Sequence, residues 1–247
     1  MQRSDGRANN ELRPVRLTRG YLKHAHGSCL FELGDTKVLC AATIGDQVAG
    51  WRRGSGLGWV TAEYSLLPAS THTRTRREVT QGAPGGRTHE IQRLIGRSLR
   101  TVVDMGGMGG EYTLNVDCDV IQADGGTRTA AITGALFAVH DAFTRWREAG
   151  RIESLPLIDF VAATSVGMVD GEVLLDLDYS EDSNAEIDMN VVVDGKGRLI
   201  EIQGTGERTP FDRARLDQLL DLSLGGAARL IELQRRIIAE GLETYGE

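Results

Sequence analysis

The stretch Tyr112–Gln122 is the cleanest strand of the sequence, with apolar and polar residues in strict alternation from Leu114 to Val120. Leu114, Val116, Cys118 and Val120 fall on one side, and Asn115, Asp117 and Asp119 on the other, the period of two of a half-buried β-strand. The run ends at Asp124-Gly125-Gly126, where two glycines allow a sharp turn, and a helical stretch follows from about Thr127 to Glu148. A strand delivered into a helix through so short a turn requires a layered fold in which sheet and helix cover each other.

The rest of the chain reads as more of the same material. Val15–Arg19, Ser28–Leu33, Lys37–Ile44 and Trp59–Leu66 have the composition of strands and are separated by Gly-containing turns. From Pro68 to His89 the apolar period stops, which predicts a long, mobile loop, of a length that is usually either functional or disordered. Between Glu90 and Asp104 the residues Ile91, Leu94, Ile95, Leu99, Val102 and Val103 form one helical stripe, with Arg93, Arg97 and Arg100 on the other face. Strands at Phe160–Met168, Glu172–Leu177, Ile187–Val193 and Leu199–Gln203 then precede two predicted helices, at about Pro210–Leu224 and Ala227–Gly241. Thr209 as cap, Pro210 at the first helical position and Asp212 in the first turn suit the start of the former. The expected class is α/β, of the α+β type, with two related halves (1–150 and 151–247), each a mixed sheet with packed helices, together forming one compact unit.

Charge is informative once divided. Residues 1–100 hold 16 Lys+Arg and 8 Asp+Glu, whereas the remainder holds 12 and 27, together the net −7 of the chain. Such a chain can hold a polyanion if its cations share a face, although attraction between the halves explains the same counts. No apolar run approaches the roughly 20 residues of a membrane-spanning helix, and the polar, basic N-terminus lacks the apolar core of a secretory signal. Cys29, Cys40 and Cys118 are odd in number, lie in strand-like stretches and have no zinc-type spacing, so they read as small core residues. These features predict a cytoplasmic protein with no membrane partner.

Three segments can carry chemistry. In Gln122–Thr129 the helix that begins after the glycines offers free N–H groups and the positive end of its dipole, Thr127 a hydroxyl, and Arg128 a guanidinium fork for phosphate. A tight turn with a surface arginine is the plain alternative. Gly85–Glu90 places Arg87 just ahead of a second helix, and Arg74, Arg76 and Arg77 crowd a loop in a way that suits a nucleic-acid backbone or merely a solvated charge run. Asp176–Asp188 is dense in carboxylates between two strands, the hard oxygen donors magnesium takes, or a source of a general acid, or a solvated acidic loop. No P-loop or nucleophile elbow is present, and His24, His26, His72, His89 and His140 have no convincing zinc spacing.

Ordered blocks along nearly the whole chain resemble the ribonuclease PH family of phosphorolytic 3′-exoribonucleases. They include Arg3–Arg7, Gly34–Val38, Gly58–Tyr64, Thr71–Arg74, Gly86–Thr88, Glu90–Arg97, Asp117–Thr129, Asp188–Val192 and Gln203–Glu207. Two short segments depart from the pattern, Glu207–Phe211 and the Gly-rich 106–110. The resemblance implies a ring of six subunits, arranged as a trimer of dimers. It also implies phosphate-dependent 3′-to-5′ trimming of RNA with a single-stranded 3′ end, chiefly transfer-RNA precursors beyond the CCA end, with release of nucleoside 5′-diphosphates. Arg87, Gly126, Thr127 and Arg128 match its phosphate-binding positions. Asp182 and Asp188 match an aspartate pair assigned to magnesium binding or acid catalysis. Arg74, Arg76, Arg77, Arg93 and Arg97 fall in its RNA-contacting segments. A non-catalytic RNA-binding ring subunit is the rival, since some ring members of related exosomes bind RNA without cleaving it. An enzyme acting on free nucleosides is the third reading, and it has no use for an arginine-rich track.

Overall fold

The computed structural model describes residues 3–246. Two sheets form its frame. The first contains β1 (Val15–Arg19), β2 (Gly27–Leu33), β3 (Thr36–Gly45), β4 (Trp59–Leu66), β5 (Thr113–Gln122) and β10 (Thr244–Gly246), in the order β10-β1-β2-β3-β5-β4. The second contains β6 (Val161–Val169), β7 (Glu172–Leu175), β8 (Ile187–Asp194) and β9 (Leu199–Gly206), in the order β7-β6-β8-β9. All pairs are antiparallel except β4 with β5, which α1 (Gly86–Val102) connects in parallel. The predicted mixed α/β architecture is thus observed.

The alternation in β5 does what its period requires. Leu114, Val116, Cys118 and Val120 are buried on the face that α2 (Thr127–Glu148) covers, with α1 packed on the neighbouring β4, while Asn115, Asp117 and Asp119 face outward. Helix α2 lies between the sheets, against β2, β3 and β5 on one side and β6 on the other. That position explains why it is buried nearly all round, from Thr129 to Val139 and at Ala142, Phe143 and Trp146. Cys29, Cys40 and Cys118 lie side by side on the covered face and are free thiols, as their setting in the sequence suggested. No helix is long and apolar enough to cross a membrane.

Several boundaries differ from those predicted. Helix α1 begins four residues before the predicted start at Glu90, so Arg87 is in its first turn rather than ahead of it. The carboxylate-rich segment contains a six-residue helix, α3 (Tyr179–Asn184), closed by a reciprocal capping box between Asp178 and Glu181. The two predicted C-terminal helices are one, α4 (Arg213–Glu240), capped by Asp212 through the backbone N–H of Arg215 rather than by Thr209. The helix runs unbroken through Gly225-Gly226, where a Cβ at Gly226 would sit 2.7 Å from the Leu175 side chain and one at Gly225 would meet nothing within 4 Å. Both ends of the chain also cross between the halves. The segment before β1 packs against β7 and α3, with Asn9 accepting from Leu175, and β10 joins the edge of β1.

Candidate active site

The β5-α2 turn, the N-terminus of α1 and the α3-β8 segment meet at a cavity of about 470 Å³. It gathers Arg87, Gly126, Thr127 and Arg128 with Asp182 and Asp188, the six residues that the sequence offered for phosphate and metal. Ser165, Asn190, His72 and Tyr179 complete much of the wall, the last two with ring centroids 5.4 Å apart.

Gly125 and Gly126 have φ of 73° and 63°, a left-handed turn that glycine adopts without cost. A Cβ on Gly125 would lie 2.4 Å from the carbonyl oxygen of Leu177, so the turn is pressed directly against the backbone leading into α3. Thr36 Oγ1 donates to Gly125 O at 2.6 Å and accepts from Asp124 N at 3.0 Å. Arg13 donates to the carbonyls of both Asp124 and Gly125 while its guanidinium pairs with Asp176, Nη2 to Oδ1 at 2.7 Å and Nε to Oδ2 at 3.0 Å. Arg3 clamps Glu181 in the same two-pronged way, at 2.8 and 2.7 Å. These arginines hold the glycine turn and the aspartate-bearing helix as one block. Only the resemblance of the Arg3–Arg7 block hinted at this, because a sequence does not distinguish a buried arginine from a solvated one.

The two helix N-termini differ. That of α1 is already served by Glu78, which accepts from Gly85 N at 3.1 Å and from Thr88 Oγ1 at 2.8 Å. That of α2 begins at Gly126 without a side-chain cap and without an acidic residue in its first turn. Its leading N–H groups are left for an anion. Thr127 Oγ1 is fixed by the hydroxyl of Tyr64 at 2.8 Å, and burial raises the pKa of that tyrosine, keeping it neutral. Arg128 bonds Gln203 and Glu90 through Nη1, at 2.8 and 3.2 Å. Arg87 forms no hydrogen bond or ion pair within the described residues and lies near enough to Asp182 and Asp188 to pull both pKa values down.

Even so, both aspartates titrate high. Burial raises the Asp182 pKa, against the opposing pull of Arg87 and Arg128. Asp188 is pushed up to about 6, chiefly by burial and then by the neighbouring charge of Asp182. Two crowded carboxylates that titrate high favour a divalent cation between them. Among the described residues no third His, Cys, Asp or Glu completes a cage. The pair fits magnesium, which uses one or two carboxylates and keeps its other positions for water and phosphate oxygens.

The arginines assigned to RNA lie outside the cavity wall. Arg74, Arg76 and Arg77 are exposed on the segment whose Thr71, His72, Thr73 and Thr75 line it. Arg93 is exposed on α1, whereas Arg97 is paired with Glu201 at 2.6 Å. Arg100, on the same helix, bonds Val60 O and stacks on Trp59, a packing role.

Residues 11–144 match the model of the 3′ exoribonuclease family, domain 1, and residues 159–226 that of domain 2. The chain is 58% identical to Ribonuclease PH of Syntrophomonas wolfei over 96% of its own length and 99% of the relative's. It is 56% identical to Ribonuclease PH of Rhodococcus erythropolis, over 96% and 91% of the two chains. A subunit of the Archaeoglobus fulgidus exosome, solved with RNA bound to the active site, superposes with a TM-score of 0.80 at 24% identity. That likeness covers 94% of this chain and 92% of the other, and extends to the fold.

Proposed function

The chain belongs to the 3′ exoribonuclease family, and from that premise we propose that it shortens RNA from the 3′ end by phosphorolysis, releasing nucleoside 5′-diphosphates. One observation carries the reading: an uncapped helix N-terminus with Arg87 and Arg128 shares a single cavity with the Asp182–Asp188 pair. A site that binds only RNA needs no such opposition of anion holder and carboxylates. This favours the enzyme over the non-catalytic ring subunit.

In this scheme Arg87, Arg128, Thr127 and the leading N–H groups of α2 hold inorganic phosphate against the repulsion of the RNA's own terminal phosphate. Each charge-assisted hydrogen bond contributes about 1.5–3 kcal/mol. An oxygen of the bound phosphate attacks the phosphorus of the last phosphodiester in line. The bond from that phosphorus to the 3′ oxygen of the preceding nucleotide breaks, and that oxygen takes up a proton. The last nucleotide leaves as a diphosphate, and catalysis is mainly positioning and charge placement. Asp182 and Asp188 would hold magnesium, which would supply positive charge to offset that of the scissile phosphate and the leaving oxygen. Alternatively, Asp188, with its pKa of about 6, delivers the proton itself. One phosphate linkage replaces another, so the reaction runs backwards when diphosphates are abundant.

The finer features of the reading follow the family resemblance. Residues 1–150 hold phosphate and RNA, residues 151–247 carry the aspartates, and Arg74, Arg76, Arg77, Arg93 and Arg97 grip the incoming strand. Transfer-RNA precursors extended beyond CCA are the substrates, in a cytoplasmic hexamer built as a trimer of dimers. The test is a short RNA with a single-stranded 3′ tail, incubated with magnesium, with and without phosphate, beside Arg128→Ala and Asp188→Ala proteins. Phosphate-dependent diphosphates, lost in both variants, support the reading; monophosphates formed without phosphate refute it. Thorough chelation that leaves the rate unchanged removes the metal role and leaves Asp188 as the acid.

A further inference from the structure

Gln203 opens the Gln203–Glu207 block, to which the chemistry above gives no task. From β9 its Oε1 accepts from Arg128 Nη1 at 2.8 Å, and its Nε2 donates to Glu201 Oε1 at 3.2 Å. The other oxygen of Glu201 is held by Arg97 Nη1 at 2.6 Å. Glu90, about two helical turns before Arg97 on α1, takes the second bond from Arg128 Nη1, at 3.2 Å. These five side chains close a loop from α1 through β9 to α2 and back.

The loop has one stable wiring. A primary amide has a donor end and an acceptor end, and Gln203 lies between a carboxylate and a guanidinium. Turning the amide over would set its oxygen against Glu201 and its NH₂ against Arg128, losing both bonds. Glu201 therefore orients Gln203, Arg97 orients Glu201, and Gln203 fixes Arg128. All of these bonds to Arg128 fall on Nη1, so Nε and Nη2 keep their donors for an incoming anion. The strand register adds a second constraint. Gln203 pairs with Asn190, a cavity-wall residue, and Thr205 pairs with Asp188, so the tether measures Arg128 against the strand that carries the catalytic carboxylate. Glu90 already gives Arg128 one ion pair, at 3.2 Å, and a neutral second acceptor adds a tether without setting another carboxylate against the charge that attracts phosphate.

We propose that Gln203 is a positioning residue for Arg128, itself oriented by Glu201 and Arg97, and that it sets the affinity for inorganic phosphate. This rests on the phosphorolytic reading, and it gives Arg97 a place in the phosphate machinery in addition to any contact with RNA. The informative variant is Gln203→Met, which keeps the length and bulk of the side chain and removes both polar ends. Binding of inorganic phosphate to the whole protein is followed by calorimetry, alongside the KM for phosphate and kcat on a tailed RNA. The expected result is a phosphate Kd and KM raised about tenfold, with kcat at saturating phosphate and the KM for RNA changing less than about threefold. Gln203→Glu, which keeps the acceptor but places a second carboxylate beside Glu201 and the phosphate, should weaken phosphate binding further. In an Arg128→Ala background, Gln203→Met should add nothing, since the tether then has no load. A wild-type protein that binds phosphate, with an unchanged Kd in Gln203→Met, overturns the tether alone. A packing role gives that same unchanged Kd, because methionine fills the space. A wild-type protein with neither phosphate binding nor phosphate-dependent products overturns both the tether and the phosphorolytic reading.

Discussion

Asp176 and Glu181 are each matched by a buried arginine, whereas Asp182 and Asp188, from the same stretch of chain, form no ion pair among the described residues. The first pair is enclosed by Arg13 and Arg3 and is almost inaccessible to water. The second pair faces the cavity and titrates high. A charge taken out of water is tolerated only with a partner, so the matched carboxylates are structural. The unmatched ones are kept at an energetic disadvantage, which makes sense only if the partner arrives with the reaction. Density of acidic residues in a sequence therefore says little; the presence of an internal counter-charge separates scaffold from chemistry.

The strongest challenge to that division is Asp176→Asn. Asp176 has φ of 55°, which asparagine also adopts, so the substitution removes the charge without straining the backbone. Arg13 is left buried with only the more distant Asp124 carboxylate, at 3.9 Å, as counter-charge, and denaturant unfolding should show a loss of about 3–5 kcal/mol. A loss under about 1 kcal/mol would place Asp176 with the dispensable surface carboxylates. Asp188→Asn should do the reverse: activity falls about a hundredfold or more, while the fold survives.

Stability should even rise in that variant, and the pH dependence identifies the cause. Because the folded protein raises the Asp188 pKa from 3.8 to about 6, ionisation opposes folding. The penalty is absent below the unfolded pKa and complete once pH exceeds the folded one. Thermal unfolding should therefore find Asp188→Asn more stable by about 1–2 kcal/mol at pH 7, allowing for solvent screening, and no more stable at about pH 3, below the unfolded pKa. A full gain that persists there would point to packing instead of charge. The smallest effect on stability is expected at the loop arginines. Replacing Arg74, Arg76 and Arg77 together by glutamine should leave unfolding within about 0.5 kcal/mol. It should flatten the dependence of log affinity for single-stranded RNA on log salt by about 2. An unchanged slope would remove these residues from the RNA path.

Sequence periodicity made much of this molecule legible. Strand β4 and helix α2 have the predicted limits, and the alternation in β5 lies on the predicted faces. The errors share a physical origin: local signals were weak where tertiary contacts decide. The first turn of α1 has no apolar stripe, and its start depends on Glu78 reaching back from the loop. Helix α3 is too short for a period, although Asp178 followed three residues later by Glu181 was a readable cap. Gly225-Gly226 reads as a break because Leu175, the side chain packed against Gly226, is 51 residues away in sequence. Arg87, Arg128 and the two aspartates could be nominated from motifs and resemblance. The arginine clamps depend on contacts 178 and 163 residues apart and the Arg128–Gln203 bond on one 75 residues apart, while the occupied end of α1 depends on a loop conformation that no local period marks.

The most direct test follows the phosphate atom itself. Radiolabelled inorganic phosphate is supplied with unlabelled tailed RNA and magnesium, and the nucleotides released are separated. The expected result is label in the terminal phosphate of nucleoside diphosphates, in the wild-type protein and to a much smaller extent in Asp188→Asn. Unlabelled monophosphates released at a rate indifferent to phosphate would mean that water is the nucleophile, and would contradict the assignment of the Arg87–Arg128 end of the cavity to phosphate.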